Sequence, residues 1–454
     1  MLEVIVLAAG QGSRMRSNLP KVLHPLAGRP LIQHVLDVSR DLNAARIHVV
    51  VGHEAEAVES AVAAPDVICH LQREQCGTGH AVQQAIHACE PTSTVLVLFG
   101  DVPLISAETL RRVVDAAEGV AMLSAKMSEP AGYGRVIRDD LGAFDSVVEH
   151  RDATVEQLAL HEVNTGVLAA SAAAMAGWLD RVKNDNAQGE YYLPDVLALA
   201  RQEGVLVNVI ESGRPFDALG VNTPEQLEAL ERLYQRSLAE MLLHAGVSLA
   251  DRARLDIRGR LQCGENVRID VNVIFEGDVV LGDGVFIGAN SVIANAEIGS
   301  GVKIHPFTHI DGAVVGAGAE VGPYARLRPG TVLDDGAKIG NFVEVKNTHV
   351  GARAKANHLA YLGDAEIGTG SNVGAGTITC NYDGANKHRT TLGRGVFVGS
   401  NSTLVAPLTI GDGGFIAAGS TITDDVKNNE LAVARGRQRN VDGWQRPAKP
   451  EDTD

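Results

Sequence analysis

The sequence predicts two domains of different class: an α/β domain with a mostly parallel sheet, then a connecting helix, then a parallel β-helix built on a six-residue repeat. Three observations carry this. Strand-like apolar runs alternate with helical stretches in the first half. A well-signalled helix starts at Thr223. Beyond Leu261, aliphatic-glycine pairs recur on a grid of six. The 454 residues are also too many for one core, since domains run to roughly 100–200 residues. The boundaries read from these signals are 1–222, 223–246 and 247–454.

In the first half, Glu3–Ala8 reads as a buried parallel strand, followed by strands at Ile47–Val51, Val67–Leu71 and Thr94–Phe99. Helical stretches lie between them, at Pro30–Arg40 and Thr78–His87. Ligands of such sheets sit beyond the carboxyl ends of the strands. Two marked loops fall there: Gly10–Lys21 and Gly100-Asp101. The run Leu7-Ala8-Ala9-Gly10-Gln11-Gly12-Ser13-Arg14-Met15 is not a dinucleotide fingerprint, because Met15 stands where the third glycine belongs. It is not a P-loop either, since no Gly-Lys-Ser/Thr follows. What remains is a glycine turn whose N–H groups can face a phosphate, with Arg14 and Lys21 supplying charge. Asp101, read alone, is either a functional carboxylate or a turn cap.

Thr223-Pro224-Glu225-Gln226 signals a helix start: a capping hydroxyl, a proline in the first turn and a glutamine to complete a capping box. Leu227, Leu230, Tyr234, Leu238 and Met241 follow at helical spacing, and Gly246 can end the helix.

The repeat begins near Leu261 and runs to Thr423. This stretch, to Asp424, holds 28 of the 49 glycines. Leu281-Gly282 leads to Ile287-Gly288, Val315-Gly316 to Val321-Gly322, and Leu392-Gly393 to Val398-Gly399. A period of six is not the 3.6 of a helix. It suits a coil of three short strands with tight corners, the aliphatic residue pointing inward. The alternative, a low-complexity glycine-rich segment, does not place Val, Ile and Leu on a fixed grid. The grid slips by one residue between Ile287 and Ile298 and again between Ile339 and Val350, which suggests bulged corners. Thr379–Arg389 fits the grid worst and is expected to be an extruded loop.

Composition excludes several classes. The net charge of −16 argues against a nucleic-acid partner. Five cysteines with no Cys-x-x-Cys pair argue against a disulfide framework or a zinc site. No stretch approaches the ~20 apolar residues of a membrane span. A cytoplasmic protein acting on small substrates is the expectation.

The motifs then resemble a known family. Leu7–Met15 with Pro20-Lys21 is similar to the signature of sugar-phosphate nucleotidyltransferases. Gln72 with Gln75-Cys76-Gly77-Thr78-Gly79, Phe99-Gly100-Asp101, Gly132-Tyr133-Gly134-Arg135, Glu149, Asn164-Thr165-Gly166 and Gly220-Val221-Asn222 agree. Joined to a hexapeptide-repeat half, the set resembles the bacterial bifunctional N-acetylglucosamine-1-phosphate uridylyltransferases and glucosamine-1-phosphate acetyltransferases. The resemblance runs from about Val4 to Trp444. It implies a Rossmann-like nucleotidyltransferase domain, a left-handed β-helix and a homotrimer. The implied reactions are acetyl transfer from acetyl-CoA to glucosamine 1-phosphate, then uridylyl transfer from UTP to N-acetylglucosamine 1-phosphate.

The resemblance also implies roles. Leu7, Ala8, Ala9 and Gly10 would line the nucleotide site, with Phe99 and Gly100 beside them. Arg14 and Lys21 would hold the triphosphate. Gln72, Gly77 and Thr78 would read uracil. Asp101 and Asn222 would share Mg²⁺, oxygen ligands suiting a hard cation. Gly134, Glu149 and Asn164 would hold the sugar. Phe99 departs from the usual tyrosine of this motif, and Ser13 from the commoner threonine. In the second half, His358 would be the general base, because an amine attacks a thioester only when unprotonated. The chain has 15 histidines, and His358 stands out only through its companions. Arg328, Lys346 and Lys387 would bind the sugar phosphate, and Tyr361 and Asn372 the ring. The Ala375 N–H would polarise the thioester carbonyl, and acetyl-CoA would lie past Asn381, Tyr382, Ser400 and Ala418 with Arg435 near its phosphates.

Two other readings compete. One is a nucleotidyltransferase for another sugar, with a β-helix that only oligomerises it. The other is a regulatory subunit that binds sugar nucleotides without turnover. The joint presence of Lys21, Asp101, Arg328, Lys346 and His358 speaks against both.

Overall fold

The computed structural model describes residues 1–214 and 216–447; positions 448–454, the end of the expected third segment 247–454, lie outside the described residues. Two compact units divide the chain, Met1–Ser237 and Leu238 onward, and the division falls inside the helix Pro224–His244.

The first unit is built on a nine-stranded sheet. Leu2–Leu7 lies at its centre, paired in parallel with Arg46–Val51 and with Thr94–Phe99. Val67–Leu71 extends it in parallel on one side. On the other side Glu162–Ser171 enters antiparallel between Thr94–Phe99 and Val120–Lys126. A hairpin of Arg135–Arg138 and Phe144–Val148 hangs on that strand. The central strands bury nearly every side chain, so they read as continuous apolar runs. Helices Leu31–Asp41 and Thr78–Ile86 pack on opposite faces, the first beside Val4 and Val6, the second beside Ile5 and Leu7.

The helix after Asn222 starts as its sequence requires, with one change. Thr223 Oγ1 accepts from the Gln226 N–H at 3.3 Å. The Gln226 side-chain oxygen Oε1 reaches one residue further back than a capping box does, and accepts from the Asn222 N–H at 2.7 Å. The cap therefore pins Asn222 directly.

The second unit is a parallel β-helix with three sheet faces, one an eleven-stranded sheet and two joined into a sixteen-stranded one. Each coil brings a residue beside its equivalent 17 or 18 positions on. The aliphatic grid positions Val267, Val273, Val279, Val285, Ile304, Val321 and Ile339 all point inward and are buried. The helix starts earlier than the dyads suggest, at Ser248–Leu249, and continues to Leu431–Ala432. The outer coils keep the inward aliphatics, Leu255 and Ile257, but lack the glycine that marks the grid.

The one-residue slips are corners. The first is a register shift between Glu276 and Val279, opposite Asn295 in a left-handed conformation. Asn347 and Asp364 turn the equivalent corner further along with φ of 45° and 49°. The excursion predicted at Thr379–Arg389 is shorter than expected. Thr379 and Cys380 stay in a strand, and Thr379 is buried because its hydroxyl accepts from the Gly363 N–H at 2.8 Å. The loop proper begins at Asn381, and there the coil spacing grows to 25.

Candidate functional site

In the first unit, a cavity of about 220 Å³ opens at the carboxyl ends of the central strands. Leu7, Ala8, Ala9, Gly10, Lys21, Gln72, Gly77, Thr78, Phe99 and Asp101 line it. The glycines act by close approach. A Cβ on Gly12 would meet the Lys21 Cβ at 2.7 Å, and one on Gly77 would meet the Tyr191 carbonyl at 2.6 Å. Gln72 is buried, with its NH₂ toward the Gly77 carbonyl at 3.3 Å and His80 Nδ1 at 3.0 Å.

Beside this cavity, at Lys21 and Asp101 of its lining, three charges meet. The Lys21 ammonium donates to the Asp101 carboxylate and, at 3.2 Å, to Asn222 Oδ1. Arg14 donates to the same amide oxygen at 2.9 Å. The Val221 N–H donates to the Asp101 carbonyl at 3.0 Å, which joins two segments far apart in sequence. The oxygens of Asp101 and Asn222 thus converge on one cation, which is the donor set a hard metal ion takes. A separate buried group, Glu3, His48 and Cys89, gathers three further metal-ligating atoms but includes neither residue.

Phe99 has a packing role here. Its ring fills the space above Gly166, where a Cβ would lie 2.4 Å from Cε2. Asn164 is buried and accepts from the Gly166 N–H at 3.0 Å, leaving its NH₂ to donate. Gly134 faces Glu149. Glu149 also lines a neighbouring cavity of about 350 Å³ with Asp152 and Asp195. Burial, then Asp195, Asp152 and Glu190, raises the Glu149 carboxyl above its usual range. Burial and Asp152 push Asp195 up to about 6. A raised carboxyl opposes folding once ionised. That penalty is absent below the ordinary aspartate value of 3.8 and complete above about 6. Asp195→Asn should therefore raise the thermal midpoint at pH 8 by about 2–4 °C, corresponding to roughly 1 kcal/mol after solvent screening, and leave it unchanged at pH 3.5. Melting curves at the two pH values check this. Another cavity of about 330 Å³, lined by Tyr133, Gly220, Gln226 and Leu230, holds none of the predicted residues.

In the second unit four of the predicted acetyl-transfer residues, His358, Ala375, Ser400 and Ala418, share one corner column. The Leu359 N–H donates to the Asn341 carbonyl, and the Asn401 N–H to the Ala375 carbonyl. Gly419 to Ser400 continues the pattern, and the left-handed corner residues Phe342, Leu359, Gly376, Asn401 and Gly419 mark the same position on each coil. Asn341, His358, Ala375, Ser400 and Ala418 therefore stack on successive coils, and coils lie ~4.8 Å apart. Arg435 reaches the end of the column, donating to the Ala418 carbonyl at 2.7 Å. Among the described residues, the Ala375 N–H has no hydrogen-bond partner.

His358 is exposed, and its Nδ1 lies 2.7 Å from Asn341 Oδ1. With the amide oxygen facing the ring, Nδ1 is the donor and Nε2 keeps its lone pair. Asn341 was not legible as a functional residue; nothing in its local sequence separates it from a corner asparagine.

Asp364 was missed for the same reason. It sits at a left-handed corner and gathers three side chains: Asn347 at 2.6 Å, Lys346 at 3.3 Å, and the buried Asn381. Burial works to raise its carboxyl, but hydrogen bonds from Asn347, Asn381 and Lys346 outweigh it, and Asp364 stays ionised further into acid than usual. Tyr361 folds its ring over Gly363, beside Lys346. Arg328 pairs with Glu344 at 2.8 Å. The nearby Lys346 ammonium pulls Lys387 below its ordinary range, as expected of crowded cations with too few anions. Lys387 and Asp364 line a cavity of about 310 Å³. Asn372 lies on the outer face of the eleven-stranded sheet beside Phe397. Tyr382 is exposed, its hydroxyl turned to the Gly384 carbonyl at 2.6 Å.

Comparison with known proteins agrees with this division. Residues 4–162 match the MobA-like NTP transferase domain, 257–356 the GMPPB C-terminal domain, and 389–424 the hexapeptide repeat of succinyl-transferase. The bifunctional protein GlmU of Ralstonia nicotianae is 53% identical over 450 residues, 99% of each chain. Its counterpart in Burkholderia vietnamiensis is 54% identical over the same share. That of Cellvibrio japonicus is 52% identical over 451 residues, 99% of this chain and 100% of its own. The chain belongs to the GlmU family. It is a bifunctional transferase of UDP-N-acetylglucosamine synthesis, with acetyltransferase and uridylyltransferase activity. Its fold is a nucleotidyltransferase domain followed by a left-handed hexapeptide β-helix. Among the described residues no helix is long and apolar enough to cross a membrane.

Proposed function

We propose that the two residue sets carry the two reactions separately, acetyl transfer on the corner column and uridylyl transfer at the Lys21–Asp101–Asn222 cluster. The observation that supports this most is the column itself: a base, an unpartnered N–H and an arginine stand in a row long enough for an extended thioester cofactor.

In the first reaction His358 Nε2 takes a proton from the amine of glucosamine 1-phosphate. The amine nitrogen bonds to the thioester carbon of acetyl-CoA, the oxyanion is held by the Ala375 N–H, and the C–S bond breaks to release CoA. Lys346, Lys387 and Arg328 hold the phosphate, with Asp364 keeping Lys346 in place. Tyr361 and Asn372 hold the ring. Asn381 and Tyr382 border the cofactor.

In the second reaction an oxygen of the sugar 1-phosphate attacks the α-phosphorus of UTP, and pyrophosphate leaves. The attacking phosphate is ionised near neutral pH, so positioning and charge neutralisation suffice. Lys21 and Arg14 hold the triphosphate; Gln72, Gly77 and Thr78 hold the base; Gly134, Glu149 and Asn164 hold the sugar. Asp101 and Asn222 are the residues that would hold Mg²⁺, which when bound neutralises phosphate charge. Uridylyl transfer should stop in excess chelator and return with added Mg²⁺, while acetyl transfer continues throughout.

The assembly is a homotrimer in this reading, and the protein acts in the cytoplasm. A column of exposed rings supports an interface beside the acetyl site. Phe307 stacks on Tyr324 at 4.9 Å and Tyr324 on Phe342 at 5.2 Å, and Phe342 directly follows Asn341. All three are about half exposed, an apolar stripe that a second copy would cover. Tyr324→Asp should shift sedimentation from trimer to monomer and lower acetyl transfer at least tenfold, with uridylyl transfer unchanged.

A further inference from the structure

We infer that Arg135 is a positioning residue for the sugar-phosphate half of uridylyl transfer, holding the three segments that carry the sugar-binding residues. The inference rests on the reading that Gly134, Glu149 and Asn164 hold the sugar.

Arg135 is 2% exposed and heads the fully buried side chains by volume. It pairs in register with Val148 on one side and with Val163 on the other. Gly134 precedes it, Glu149 follows Val148 and Asn164 follows Val163. Each candidate sugar residue is thus one position from Arg135 or from a residue paired with it. The main chain adds a link, since the Asn164 N–H donates to the Gly134 carbonyl at 2.9 Å.

The guanidinium is used in an unusual way. One NH₂ donates to the Tyr133 carbonyl and the other to the Leu158 carbonyl at 3.3 Å. Leu158 ends the short helix Val155–Leu158, which Thr154 caps with a full capping box. Among the described residues Arg135 has no carboxylate partner, and its buried Nε–H has no partner either. A suitable acid is close: Glu162, next to Val163, pairs instead with Arg138 at 2.7 Å. A buried cation with no counter-charge opposes folding, and an apolar side chain of similar size would serve stability better. What the guanidinium supplies is a rigid fork between two carbonyls, one in the Tyr133 turn and one at the end of the Val155–Leu158 helix. A lysine can reach at most one of them.

The test uses the full chain with Arg135→Lys, Arg135→Met and Asn164→Ala. Acetyl transfer by the same molecules serves as the control for protein amount and integrity. The expected result is a KM for N-acetylglucosamine 1-phosphate raised about tenfold in both Arg135 variants, lysine giving no rescue, with the KM for UTP within about twofold of wild type. If Asn164→Ala raises the sugar-phosphate KM and neither Arg135 variant does, the positioning role is overturned and the sugar site stands. If Asn164→Ala leaves that KM unchanged, the sugar-site reading fails and takes the inference with it. Equal damage to both KM values, or loss of UTP binding in both Arg135 variants, makes Arg135 a fold residue and overturns the inference too.

Discussion

His358→Ala lowers acetyl transfer by about 10²–10⁴-fold and leaves uridylyl transfer at the wild-type rate. The magnitude is that of losing a positioned general base. The chemistry has no substitute close by: the neighbours of His358 on the column are Asn341 and Ala375, and neither takes a proton. Asn341 holds the ring by Nδ1, so the nitrogen that faces outward is the basic one. The deficit should fall on kcat, because in the proposed function the phosphate and ring contacts come from Lys346, Lys387, Arg328 and Tyr361, which the substitution does not touch. His358 is exposed at a corner, so the fold loses little. CoA release, followed with a thiol reagent, and pyrophosphate release measure the two half-reactions.

Asp101→Ala does the opposite. Uridylyl transfer falls by about 10³-fold or more, and acetyl transfer is unaffected. Asp101 supplies the carboxylate of the cluster, so its loss removes an expected ligand of Mg²⁺ and the partner of Lys21. The Lys21 ammonium then keeps only the Asn222 amide oxygen at 3.2 Å among its described partners. Both effects act where phosphate charge develops. Asp101→Asn separates them, since it keeps an oxygen ligand and removes the charge. It should retain more activity than alanine at high Mg²⁺.

Much of this was legible in the sequence. The four opening strands and the helix after Thr223 followed from apolar runs and cap chemistry, which are local signals. The β-helix followed from its grid because each inward aliphatic residue obeys the same constraint on every coil. Contacts between coils are a different matter. Asn341 orients His358 from 17 residues away, and Asp364 gathers Lys346 and Asn347 from one segment and Asn381 from another. No local pattern marks such residues, since a corner asparagine or aspartate has the same appearance whether or not it holds a catalytic side chain. Arg135 is the sharpest case. In sequence it is the last letter of a glycine-tyrosine-glycine turn beside a strand, where an exposed cation is the ordinary expectation, and the fold buries it. Phe99 was read as a lost hydroxyl; the structure shows what its ring does instead, filling the space over Gly166.

The proposed function puts two chemically separate sites on one chain. The most direct measurement is both half-reactions on His358→Ala and Asp101→Ala side by side, each at saturating substrates. The expected result is a crossed pattern: CoA release lost only in the first variant, pyrophosphate release lost only in the second. Loss of both activities in either variant, or acetyl transfer that survives without His358, would contradict it.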